Sequence, residues 1–206
     1  MISTEAGLRN ILGSAEGLAV QKSRPGLDKH SRRFIAMSPF LVLSTANARG
    51  KADVSPRGDP PGFVHVIDDQ TFLIPDRPGN NRLDTMTNIV ENPNVACLFF
   101  IPGFEDTLRV AGRASITGDG ELLRHCTVNG KVPKAGVVVK VDEVFLHCAK
   151  ALKRSRLWQD DYKQERSQMP SIARIILEQV SDAKLDETVA AEADIKVEEN
   201  YRTELY

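Results

Sequence analysis

The pattern of apolar and polar positions changes texture twice along the chain. Between about residue 40 and residue 147, apolar residues come in short runs with β-branched content, broken by Gly, Pro and Asn, as strands joined by turns would be. Residues 40–46 form one such run, ended by a turn at Asn47, Ala48, Arg49 and Gly50, and residues 52–56 pair back as a second strand. Residues 63–67 and 71–74 flank Asp68, Asp69 and Gln70 and predict a hairpin. Residues 95–101 are almost all apolar, which predicts a strand buried on both faces. Residues 107–117 alternate over a long stretch, with Gly112 as the candidate for a bulge or barrel bend. Residues 136–141 and 144–147 supply the last strands.

The flanks are helical. Leu8, Ile11, Leu12, Leu18 and Val20 recur at loosely helical spacing, interrupted by Gly7, Gly13 and Gly17, and predict short helices. Asp28 is placed to N-cap a helix running to Met37, closed by Ser38 and Pro39. Within the β region, Leu83, Met86, Ile89 and Val90 mark one face of a helix that starts at about Asn80 and stops at Asn92 and Pro93. Residues 119–127 read as a short helix. From Ala149 the chain turns helical and basic, and a further helix spans Ser171 to Val180. The acidic tail from Asp182 reads as a surface helix or a partly ordered arm. Six or seven short strands with one intervening helix predict a mainly β fold, an antiparallel barrel with helical additions. The expected organisation is N-terminal helices packed on the barrel (residues 1–37), the barrel domain itself (38–160), and C-terminal helices with the acidic tail (161–206). No Gly-x-Gly-x-x-Gly follows a strand and no Walker loop occurs, which argues against nucleotide folds of the parallel-sheet type.

Composition narrows the picture without redirecting it. The chain has 206 residues, 41% apolar and 27% charged, enough to bury one proper core. A net charge of −1 gives no global attraction to nucleic acid or an anionic membrane, so any anion site must be local. Three widely spaced cysteines, Cys97, Cys126 and Cys148, make neither a disulfide framework nor a zinc pattern. The N-terminus lacks the basic and apolar regions of a leader, and no apolar run is long enough to span a bilayer. Cytoplasmic residence is the expectation by elimination.

The chemistry concentrates in residues 53–82. Two polar clusters rich in Pro and Gly, at 55–62 and 75–82, flank the apolar hairpin and carry Arg57, Arg77 and Arg82. In the second cluster a strand ends and a helix begins, with Asn80 as N-cap. Free N–H groups at such an end bind phosphate, and Arg77 and Arg82 can add charge-assisted hydrogen bonds. A capped surface turn with solvated arginines is the bland alternative. Convergence of the two clusters favours a pocket for an anionic, planar, phosphate-bearing cofactor.

Three stretches then bear on family: Ser-Pro-Arg-Gly-Asp at 55–59, Ile-Pro-Asp-Arg-Pro-Gly-Asn-Asn-Arg at 74–82, and Leu-Arg-Val-Ala-Gly-Arg-Ala at 108–114. Together, over roughly residues 30–160, the chain resembles the pyridoxamine 5′-phosphate oxidase-related flavoproteins. More narrowly it resembles a bacterial FMN-binding subfamily carrying the Pro-Asp-Arg-Pro-Gly-Asn-Asn-Arg stretch. The resemblance implies an antiparallel, Greek-key-like split β-barrel, a homodimer with FMN at the subunit interface. It matches Pro75 and Asp76 to a strand end that contacts the flavin, and Asn81 and Arg82 to a helix start that holds the phosphate. Ser55 and Arg57 correspond to phosphate contacts of the preceding strand, across a longer loop than the family's. Thr107 and Arg109 match a strand that approaches the ring from the partner subunit. Lys150, Arg154 and Trp158 resemble a C-terminal basic-aromatic segment that reaches the cofactor. A cation near the flavin N1–C2 carbonyl would raise its potential, and under this resemblance Arg109 or Lys150 could take that role. Oxidases of pyridoxamine phosphate also carry an Arg-x-His motif near the C-terminus; residues 198–206 have none, which puts vitamin B6 oxidation in doubt.

The remaining candidates are bland. His65 alternates within a strand. His147 and Cys148 at a strand end could ligate haem or a metal but read more simply as edge residues, and the four histidines show no metal-ligand spacing. The basic run from Lys150 to Arg156 lacks the interleaved aromatics of a nucleic-acid site. No nucleophile with an oriented base is visible, so the catalytic residues stay unassigned and a cofactor would carry the chemistry. The expectation is an FMN-dependent oxidoreductase acting on a small organic substrate. The alternatives are a flavin carrier or sensor without turnover, and a split barrel using F420 or haem.

Overall fold

Alternation and turn chemistry build one antiparallel sheet in the computed structural model of the chain, which describes residues 1–181 and 186–206. Its strands are β1 (Phe40–Ala46), β2 (Ala52–Gly58), β3 (His65–Val66), β4 (Thr71–Pro75), β5 (Asn94–Phe100), β6 (Thr107–Thr117) and β7 (Gly136–His147). They run in the order β2-β1-β5-β6-β7-β4-β3, with β2 and β3 as unpaired edges, so the sheet does not close on itself. It does curl. Phe72 on β4 and Phe99 on β5 lie three places apart in that order, yet their rings meet edge to face at 5.9 Å. The fold is a split barrel. Leu41, Leu43, Phe99, Leu108, Val110 and Val139 fill its interior, all fully buried.

Helices brace the barrel at two places. α1 (Glu5–Leu12) and α2 (Leu18–Gln21) bury no side chain. α3 (Lys29–Met37) starts on Asp28, whose carboxylate accepts from the Ser31 and His30 amides, and it buries Phe34 and Ile35. α4 (Asp84–Glu91) docks on β1 and β2: Asn88 donates to Thr45 at 3.0 Å and Thr85 to Asp53 at 3.2 Å. α5 (Gly120–Leu123) and α6 (Lys150–Ser155) are short, while α7 (Ile172–Val180) and α8 (Glu187–Thr203) pack on each other. The expected start of the acidic tail, Asp182, lies outside the described residues.

Several expectations are corrected. The helix predicted from Asn80 begins at Asp84, because Asn80 spends its side-chain oxygen on the Arg82 amide while Asn81 and Leu83 take positive φ. Its inward face is therefore Thr85 and Ile89, and Leu83 and Val90 are exposed. The strand predicted over 63–67 shrinks to two residues after the Pro60-Pro61-Gly62 loop, although Phe63 and Val64 still reach the core. The strand at 95–101 is not buried on both faces. Val95, Cys97 and Phe99 point inward, while Ala96, Leu98 and Phe100 are half-exposed on an open face of the sheet.

The predicted bend at Gly112 sits at a bulge. Register between β6 and β7 jumps from Ala111↔Glu143 to Gly112↔Val141, leaving Asp142 unmatched. A Cβ on Gly112 would lie 2.1 Å from the Lys140 carbonyl oxygen, which is backbone and cannot yield. The same bulge lets 136–147 run as one strand where two were expected. Gly112→Ala is expected to destabilise the chain by about 1–3 kcal/mol or more through overpacking, read as a lower urea midpoint.

Candidate functional site

Where β2 ends and the loop after β4 runs to α4, the two Pro- and Gly-rich clusters come together. They enclose a cleft of about 500 Å³. Ser55 and Arg57 line it from β2; Asp76, Arg77, Asn80, Asn81 and Arg82 line it from the loop; Thr85 lines it from α4. The loop is kept irregular by two residues in the left-handed region, Asn81 at φ 54° and Leu83 at φ 59°. Leucine seldom adopts that conformation, and here the side chain is 55% exposed, so no burial compensates it.

Each arginine of the site has a carboxylate partner, and the differences between the pairs decide what each can do. Arg57 Nη1 donates to Asp76 Oδ1 at 2.9 Å, and both side chains are largely buried. Its Nε is buried and has no partner, so a donor on this cleft residue is unspent. Arg82 Nε donates to Asp84 at 2.8 Å with 72% of its side chain exposed, leaving its terminal N–H groups facing solvent. Arg77 is different. Its Nε donates to Asp59 Oδ2 at 2.6 Å and its Nη2 to the Cys126 carbonyl at 2.9 Å; the Asp59 side chain is only 1% exposed. Arg77 thus ties the loop to the first cluster and to the turn at 124–126 rather than offering its charge to the cleft.

Of the other predicted residues, Pro75 is buried at the end of β4, paired with Gly136. Thr107 is buried at the start of β6. Arg109 points to the opposite, open face of the sheet and stacks on Phe145 at 5.5 Å. There it shares a shallow cavity of about 290 Å³ with Val42, Leu98, His147 and Val54, and Val54 also lines the cleft. Lys150 and Arg154 are exposed on α6, and Trp158 donates its indole N–H to the Phe104 carbonyl at 2.7 Å. Within one chain none of Pro75, Thr107, Arg109, Lys150, Arg154 and Trp158 lines the cleft.

A second cavity, of about 650 Å³, is lined by the same loop (residues 76–79 and Asn81) and is bounded by Lys131, Lys134 and Tyr206. The Tyr206 hydroxyl donates to the free oxygen of Asp59 at 2.5 Å, and its ring lies over the Arg77 guanidinium at 5.5 Å. Sequence reasoning missed this contact. Asp59 and Tyr206 are 147 positions apart, and nothing local to either marks the pairing.

Two of the four histidines also meet. The His65 and His125 rings stack in parallel at 4.3 Å, next to Cys126. Burial, and then the charge of His125, hold the His65 pKa below the ordinary 6.5. Burial likewise raises the Cys126 thiol and pushes Cys97 up to about 12, so neither is an activated nucleophile. Among the described residues no three His, Cys, Asp or Glu side chains are grouped to hold a metal ion, and no helix is long and apolar enough to cross a membrane.

The family model described as pyridoxamine 5′-phosphate oxidase matches residues 27–148. Among solved structures, Group A Streptococcus HupZ is 20% identical over 58% of this chain and 93% of its own, with a TM-score of 0.48. An FMN-binding protein from Syntrophomonas wolfei is 14% identical over 69% and 96%, with a TM-score of 0.43. An F420 reductase is 17% identical over 55% and 93%, with a TM-score of 0.38. No curated protein matches the chain.

Two expectations follow from the site's electrostatics. Asp59→Ala leaves Arg77 with no countercharge and should cost on the order of 3 kcal/mol in denaturant unfolding. The folded state disfavours protonated His65, so its contribution to stability is complete above pH 6.5 and is lost as pH falls below that value. The unfolding midpoint should drop across this window, and His65→Gln should flatten that part of the profile.

Proposed function

The chain belongs to the pyridoxamine 5′-phosphate oxidase family, and from that premise we propose that it is an FMN-binding flavoprotein that acts as an oxidoreductase on a small organic substrate. One observation carries the cofactor reading: the cleft between β2 and the 76–82 loop is lined by both Arg57, whose buried Nε has no partner, and Arg82, whose side chain is exposed. A phosphate monoester wants such a set. It accepts several charge-assisted hydrogen bonds at once, and the amides at the start of α4 add a favourable dipole. Arg57 and Arg82 each have N–H groups to spare beyond those given to Asp76 and Asp84, so a phosphate can be held without breaking either pair. Asn81 supplies a further amide at the same edge.

The isoalloxazine needs an apolar wall with a few polar contacts at its rim. Val54 provides continuity from the cleft to the open sheet face, where Val42, Leu98 and Phe100 are half-exposed. Covering that face with a second copy of the chain would complete the wall. The partner would then bring its own Arg109, and with it Lys150, Arg154 and Trp158, toward a cleft that they do not reach within one chain. In this reading Asp76 contacts the ring with Pro75 buried behind it, Ser55, Arg57, Asn80, Asn81 and Arg82 hold the phosphate end, and Arg77 keeps the loop in place. When bound, FMN supplies the hydride and single-electron chemistry. The protein's part is to orient, to exclude water, and to set the local charge. The second cavity, with Lys131 and Lys134 on its rim, adjoins the cleft through the shared residues Asp76, Arg77, Pro78, Gly79 and Asn81 and gives room for the other reactant.

Purified protein loaded with FMN should show bound-flavin absorption, elute at twice the chain mass, and be reduced by NADH or NADPH and reoxidised in air. Binding without reduction would leave a carrier or sensor, whereas a Soret band, or F420 binding without FMN binding, would replace the cofactor. Arg82→Ala, an exposed change, should weaken FMN by about 1.5–3 kcal/mol in a fluorescence titration, the range for a hydrogen bond to a charged group. Unchanged affinity would remove Arg82 from the phosphate site.

A further inference from the structure

Residues 186–206 are held to the barrel by very few polar contacts. α8 packs against α7, and its first turn accepts Arg174 through Glu187 at 2.7 and 2.9 Å. Among the described residues, the hydrogen bonds that join this segment to the β region both involve Tyr206: its hydroxyl donates to Asp59, and its carbonyl accepts from Lys131 at 2.6 Å. What Tyr206 touches is not a neutral piece of surface. Asp59 is the buried carboxylate that fixes Arg77, and Arg77 belongs to the loop that is a wall of both cavities.

We propose that Tyr206 is a positioning residue of the cofactor cleft: by hydrogen-bonding Asp59 and covering Arg77 it holds the 76–82 loop in its binding-competent shape. The inference rests on the reading of the cleft as the FMN site. Asp59 has two oxygens to satisfy in a place where only 1% of its side chain is exposed; Arg77 serves one and Tyr206 the other. Removing the phenol leaves a buried carboxylate oxygen unpaired, and the nearest remedy is for the Asp59–Arg77 pair to move toward water. The loop cannot stay where it is if that happens, because Arg77 is its inner anchor and also its link to the Cys126 carbonyl. The left-handed backbone at Asn81 and Leu83 makes the same loop ready to relax once the anchor loosens. Tyr206 itself is suited to a constant hold. Its hydrogen bond to Asp59, and then burial, keep the phenol pKa above the ordinary value, so the hydroxyl retains its proton through the physiological range.

A loop that spends only a fraction of its time competent lowers apparent affinity by that fraction. Tyr206→Phe keeps the ring over Arg77 and removes the hydroxyl; Tyr206→Leu removes both. With the full-length chain, the FMN dissociation constant should rise about tenfold in the first and further in the second, in line with loss of a hydrogen bond to a charged group. Hydrogen exchange of the amides at 79–82, measured without FMN, should speed up in the same order and by more than in β5 and β6. A tyrosine that merely stabilised the fold would leave the dissociation constant of the folded protein where it was. Unchanged FMN affinity in both variants, alongside normal binding by the parent chain, would overturn the proposal. If the parent chain binds no FMN, the cofactor reading fails by itself. Loop exchange then decides: acceleration supports Tyr206 as the loop's anchor, and no change refutes it.

Discussion

The ion pair of Asp59 with Arg77, in which the carboxylate is almost fully buried, ties together the parts from which the candidate site is made. It joins the loop after β2 to the loop after β4, and through the Cys126 carbonyl it reaches the turn before β7. Breaking such a pair costs far more than a surface salt bridge is worth, because it strands a charge that water cannot easily reach. Arg57 with Asp76 is the other side-chain tie described between the two Pro- and Gly-rich segments, and beyond the strand ends at Gly58 and Pro75 neither loop belongs to a strand.

Around that anchor the site solves a problem of charge. The chain has almost no net charge, so an anion cannot be attracted from afar and must be met by groups already in place. On the proposed reading the cleft would meet it with arginines that are neutralised pairwise yet not used up. Guanidinium has five N–H groups, and one bond to a carboxylate leaves most of them free. That arrangement keeps the loop from repelling itself when empty and still offers directed donors. Arg77 shows the limit of the principle: with Nε and Nη2 both spent inside the protein, it organises the site instead of binding to it.

Much of the fold was legible because its signals are local. The Asp28 cap, the strand at 40–46 and the bulge at Gly112 all rest on chemistry within a few residues or on simple alternation, and they lie where the residues place them. The helix start after the second cluster was misread for an equally local reason. Asn80 does accept an amide two residues on, as an N-cap would, but Asn81 then takes a left-handed turn that composition does not reveal. The strand at 95–101 misled because Leu98 and Phe100 are apolar without being core; they lie on a face of the barrel that one chain leaves open.

By itself the sequence determined that the chain would be an antiparallel barrel with helices at its flanks, and it marked residues 75–82 as the place to look for an anion site. Spacing, turn residues and a motif of eight residues carry that much, since each depends on neighbours in the chain. Only the tertiary structure decided which carboxylate each of the three arginines meets, that Asp59 and Tyr206 meet beside Arg77, and that Arg109 does not line the cleft within one chain. Those assignments depend on which groups end up buried beside one another across 18 or 147 positions of sequence. Burial turns an ordinary aspartate into an anchor, and no local pattern announces which aspartate will be buried.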